Sequence, residues 1–171
     1  MTDTGSHHFA TAVLEILDET FNAHHGYYLD KGDSLFATLG GISAAEASRP
    51  VSATCASIAA QVHHTTYYLD VLRQDLDPNH HLPKPDWDGS WEVPSVDDVA
   101  WAALIERLRM AAEQTMTAIR NTTEWTEDSA GAAVVMAVHT AYHLGQIRQS
   151  LCVIDGCPQS ATDEPPLAPV Q

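Results

Sequence analysis

Apolar residues recur three and four positions apart through most of this chain, and no strand-like alternation of useful length appears. From Ser6 to about His24, the residues Phe9, Val13, Ile16, Leu17 and Phe21 fall on one helical face, with Ser6 as the expected N-cap. Gly26 interrupts that helix. A short continuation follows, with Asp33 as its N-cap, Leu35, Phe36 and Leu39 facing inward, and Gly40 and Gly41 as its stop. Residues 42–53 read as a connection, because Arg49 before Pro50 disfavours helix there. A second long helix is predicted from about Thr54 to Leu76, with Ile58, Val62, Thr65, Leu69, Leu72 and Leu76 forming a bundle-type seam.

The stretch Asp77 to Pro94 is a long loop rich in Pro, Asp and Trp. Loops of this length inside compact domains are uncommon and often functional. The simplest role for Trp87 and Trp91 is to pin the loop to the helices. A third helix starts at Ser95 as N-cap, with Asp97 and Asp98 in its first turn. It runs to about Arg120 through Trp101, Leu104, Ile105, Leu108, Ala112, Thr115 and Ile119. A fourth spans about Ser129 to Ile154. The pattern therefore predicts an all-α protein, a four-helix bundle over residues 1–155 with a long crossover loop between helices 2 and 3. Residues 156–171 carry Pro158, Pro165, Pro166 and Pro169 and read as a disordered tail.

A chain of 171 residues with 44% apolar content is long enough to bury a real core in one domain. No apolar run approaches the roughly 18 residues of a membrane span, and no basic-then-apolar leader is visible, so the expected location is the cytoplasm. The net charge of −15, from 23 acids against 8 bases, makes nucleic acid and anionic lipid poor partners. Its plainest meaning is solubility. Cys55, Cys152 and Cys157 have no zinc or redox spacing, and Cys55 and Cys152 read as small core residues in apolar helical context.

Candidate chemistry lies in the fourth helix. His139 and His143 stand four apart, so their side chains stack on one face. That face continues through Ala132, Met136, Gln146 and Ser150, beside an apolar stripe of Leu144, Ile147, Leu151 and Ile154. Such a pair can deliver two imidazoles to one transition-metal ion. Among the ten histidines, only His63 and His64 occupy the middle of another long helix. Adjacent helical residues diverge by about 100°, so one of these two supplies a third ligand, and spacing alone does not choose.

The segment Ser57-Ile-Ala-Ala-Gln-Val-His-His-Thr-Thr-Tyr-Tyr-Leu-Asp-Val-Leu72, followed much later by His139-x-x-x-His143-Leu-Gly-Gln-Ile-Arg148, resembles the DinB-like (YfiT-like) superfamily. The resemblance covers most of residues 10–154, including Leu35 to Leu39 and the Trp-containing loop. It implies a bacterial four-helix bundle in which one His of the second helix and a His pair of the fourth hold a divalent metal. Counting the family's spacing from Ile58 lands on His64, which makes the implied ligands His64, His139 and His143. Three histidines leave coordination positions open, as catalytic ions require. Zinc is the first choice, with nickel, iron or manganese as alternatives.

Family members with known activity are thiol S-transferases, isomerases using low-molecular-weight thiols, or hydrolases, and many are homodimers. The resemblance therefore implies a metal-dependent enzyme with a small-molecule substrate and, for the transferase case, a small thiol cofactor. An open metal could lower the pKa of water to about 7 or hold a thiol as the thiolate. Gln146 and Tyr68, each about one turn from a ligand, are candidate supporting groups. The alternatives are a non-enzymatic metal-binding stress protein and a dimeric interaction scaffold using the Trp loop.

Overall fold

The computed structural model describes residues 3–29, 34–77 and 83–154. Among them are six α-helices and no strand: α1 (Asp3–Phe21), α2 (Leu35–Gly40), α3 (Ala44–Ser48), α4 (Ile58–Leu72), α5 (Asp98–Asn121) and α6 (Glu127–Ile154). The long helices α1 and α4 are each flanked by both α5 and α6. No described helix is long and apolar enough to cross a membrane. The all-helical class matches the hydrophobic periodicity.

Helix starts follow side-chain caps more closely than hydrophobic pattern. Ser6 lies within α1 and is not its cap. Before α2 the expected cap Asp33 lies outside the described residues, while Ser34 donates from Oγ to the Asn22 carbonyl at 2.9 Å. The connection expected over 42–53 contains α3, because Ser43 and Glu46 form a capping box: Ser43 Oγ accepts from Glu46 N, and Glu46 Oε2 accepts from Ser43 N at 2.8 Å. Helix α4 begins later than Thr54, where Ser57 Oγ accepts from Ala60 N, and tightens into a 3₁₀ turn over Arg73–Asp75. Asp97, rather than Ser95, caps α5 by accepting from Ala100 N at 2.8 Å.

The core is the expected set of faces brought together. Val13, Leu17 and Phe21 of α1 meet Ile58, Val62 and Leu69 of α4, Trp101, Leu104, Leu108 and Ile119 of α5, and Leu144 and Ile147 of α6. Trp101 also donates from Nε1 to the Ile42 carbonyl, which ties α5 to the α2–α3 connection. The cysteine expectation fails: Cys55 and Cys152 are exposed. Cys55 sits before α4 begins, so no helical face carries it inward, and Cys152 falls on the outer side of the last turn of α6. Cys157, the Pro-rich tail, and His80 with His81 lie outside the described residues.

One buried charge organises the turn after α1. Glu19 is fully buried, and its carboxylate accepts from the backbone N–H groups of His25, Gly26, Tyr27 and Tyr28 at 2.8–3.2 Å. Burial pushes its pKa up, but these four donors outweigh that and hold it below the usual carboxylate value. Gly26 has φ +84°, a left-handed backbone that glycine adopts without strain, and this turns consecutive N–H groups toward one anion. Replacing Glu19 with Ala is expected to strip hydrogen-exchange protection from the Gly26, Tyr27 and Tyr28 amides and lower the melting temperature. His8→Ala, an exposed position near the start of the same helix and away from the clamp, should leave those amides protected.

Candidate metal centre

Packing of α4 against α6 brings His64 opposite His139 and His143. A ligand nitrogen from each of the three lies within 4.8 Å of the other two, a group that could hold a metal ion. His64 and His143 are buried and His139 half-buried. His63 is not in this group. Its Nδ1 is 2.8 Å from the Ser90 carbonyl, so it ties α4 to the crossover loop instead of joining the other imidazoles. The pair that spacing could not separate is thus divided between two tasks.

Two of the three rings use Nδ1 outside the group. His64 Nδ1 lies 2.7 Å from Ser90 Oγ. His143 Nδ1 lies 3.3 Å from Gln61 Oε1, an amide oxygen that can only accept, so the ring donates there. Both rings therefore leave Nε2 for the shared space. His64 Nε2 and His139 Nε2 are 3.3 Å apart, while His139 Nδ1 is buried without a partner.

Aromatic rings wall the group. Trp91 stacks on His64 with centroids 3.8 Å apart, and Tyr68 stacks on His139 at 3.5 Å. Tyr142 meets His143 edge-on, and Trp87 packs against both Tyr67 and Tyr68. The loop tryptophans do pin the loop, and the surface they pin it to is the histidine cluster. Gln146, expected to support His143, instead donates from Nε2 to the Tyr142 hydroxyl. Tyr68 also lines an open groove of about 370 Å³ with Leu72, Asp75, Asp128, Ala132 and Val135. One ring is therefore shared by the cluster and a cavity large enough for a small molecule.

Gln61 and Ser90 escaped the sequence reading. Gln61 stands one turn before His64, on a helix whose neighbouring positions are apolar, and a polar residue there could have been noticed. Ser90 follows a turn in which Asp86 Oδ1 accepts from Gly89 N at 3.0 Å. A Cβ at position 89 would meet the Asp86 carboxylate and push that side chain from its bond to the position-89 amide. The sequence shows a long loop there, but not which of its residues reaches α4.

Burial is the leading electrostatic fact. It lowers the pKa of His143 to about 3 and that of His139 to about 4, with the neighbouring imidazoles adding to the effect. His64 is lowered for the same first reason, with His63 contributing. All three are neutral at pH 7, the form that binds a metal ion. Two nitrogens held 2.0–2.1 Å from one tetrahedral ion stand roughly 3.3–3.4 Å apart, which the His64–His139 distance of 3.3 Å matches. Neutral nitrogen donors, two rings with Nδ1 engaged outside the group and the His64–His139 spacing together fit a transition-metal ion.

Compared with family models, curated proteins and solved structures, the chain matches none.

The lowered pKa values set the sign of a pH effect on the metal-free protein. Below about pH 6.5 the unfolded chain binds protons that the folded rings refuse, so stability is fully present above that pH. It is lost as pH falls toward about 4 and then 3. Thermal melts in chelator should therefore show a midpoint that drops between pH 7 and 4.5, with a shallower drop in His143→Gln, which removes the most strongly shifted group.

Proposed function

We propose that this chain is a DinB-like four-helix bundle that binds one divalent metal, zinc in first place, through His64, His139 and His143, and uses it as an enzyme on a small molecule. The observation that carries the reading is the convergence of three neutral imidazoles, two of them with Nδ1 already engaged by the protein. The resemblance of the α4 and α6 motifs supplies the reaction classes: hydrolysis, or transfer involving a low-molecular-weight thiol. A divalent ion held there supplies Lewis acidity, which activates water or a thiol as the nucleophile.

The chain's own residues do the rest. Gln61 orients the His143 ring, and Trp91 and Tyr68 cover the faces of His64 and His139, which keeps water off the imidazoles. The groove bordered by Tyr68 and Val135 lies against the ring that covers His139, next to the imidazoles although none of them lines it. Three protein ligands leave a coordination position open, which favours an enzyme over a non-enzymatic metal store, for which a closed shell would serve.

Metal content by mass spectrometry on tag-free protein tests the reading. Near-stoichiometric metal is expected in wild type and His63→Ala, with at least a tenfold loss in His64→Ala and His139→Ala. Wild type that stays empty after incubation with zinc or nickel overturns the metal centre. Zinc-loaded protein inactive across ester, amide and thiol–electrophile panels overturns the enzyme.

The resemblance also extends to a homodimer, which we assign to the outer face of α6. Val134, Val138 and Tyr142 are exposed there, and Val134 and Val138 border an apolar groove with Phe9 and Ile16 of α1. In sedimentation velocity the wild type should run as a dimer and Val138→Glu as a monomer. A monomeric wild type removes the assignment.

A further inference from the structure

Ser90 is a loop residue with the burial of a core one, at 2% exposure. Its hydroxyl makes two short contacts, to His64 Nδ1 at 2.7 Å and to the Trp87 carbonyl at 2.6 Å. A serine hydroxyl has one proton, and a carbonyl oxygen can only accept. The proton therefore goes to Trp87, and Ser90 Oγ accepts from His64. This forces the His64 proton onto Nδ1 and leaves Nε2 bare. His64 is itself buried and covered by Trp91, so no solvent is on hand to exchange one tautomer for the other.

We propose that Ser90 is a positioning residue of the metal centre: its hydroxyl fixes the tautomer and ring plane of His64 and so aims a bare Nε2 at His139 and His143. The proposal rests on the metal reading above and assigns a residue of the crossover loop to it. The same loop turn is held to α4 a second time, by His63 Nδ1 donating to the Ser90 carbonyl at 2.8 Å. That second tie docks the loop without touching His64, and it provides the control that separates aiming from mere docking.

The first arm of the test needs no metal. Nitrogen-15 histidine spectra of metal-free wild type should show His64 protonated at Nδ1, and in Ser90→Ala that signature should give way to a mixture of tautomers. His64 protonated at Nε2 in wild type overturns the proposal whatever the metal does. The second arm measures zinc affinity by chelator competition, alongside the visible spectrum of the cobalt-substituted protein. Ser90→Ala should bind zinc about 10–100-fold more weakly, the usual cost of removing a group that orients a ligand. Its cobalt bands should shift, and Ser90→Thr, which keeps the hydroxyl, should recover most of the affinity. His63→Ala should stay within about twofold of wild type, well short of that range.

Equal weakening in Ser90→Ala and His63→Ala would reduce the effect to loop docking and overturn the proposal. Wild-type affinity in Ser90→Ala would overturn it while leaving the metal centre intact. A wild type that binds no zinc at all would bring down the metal reading and this proposal with it. Should Ser90→Ala fail to fold, the wild-type tautomer and the Ser90→Thr affinity still decide.

Discussion

A neutral imidazole has one proton for two nitrogens, and three such rings share a few ångströms of interior between α4 and α6. Protonating any of them would bury a charge, and protonating a second would set charge against charge, so the rings stay neutral. Each must then decide which nitrogen keeps its proton. The structure makes that decision from outside the cluster, with Gln61 for His143 and Ser90 for His64. His139 has no such partner and is held by the face of Tyr68 instead.

This accounting explains why the crossover loop cannot be treated as a simple connection. It carries Ser90 and Trp91 to one imidazole and Trp87 to the ring that covers another. Its turn is built locally, by Asp86 bonding to Gly89 N and by the Tyr67 hydroxyl accepting from Asp86 N. The rigid helices place the nitrogens, and the loop determines what they can do.

The sequence displayed the helices clearly because burial on one face imposes a period, and Leu17, Leu69, Leu108 and Ile147 obey it with full burial. It displayed His139 and His143 for the same reason, since four residues make about one turn. Helix starts were less legible: Ser57, Asp97 and the Ser43–Glu46 box are decided by single hydrogen bonds that several neighbouring residues could have made. Cys55 was misplaced by that error, because a helix begun too early lends an inward face to a residue that has none. Ser90 left no trace at all. Its role arises from a contact between chain positions 26 apart, whose meeting depends on how a turn folds back.

The Glu19 clamp and the histidine cluster differ in what the chain must do to form them. Glu19 gathers donors from only six to nine positions ahead, a short loop that costs little entropy to close. His64 and His139 meet across 75 positions, and that contact waits for α5 to be laid down between them. The end of α1 can therefore organise itself early, as a local seed, whereas the three imidazoles converge only when the whole topology is in place. The cluster is in that sense a completion mark: a partly folded chain offers scattered histidines, and only the finished one offers a chelate.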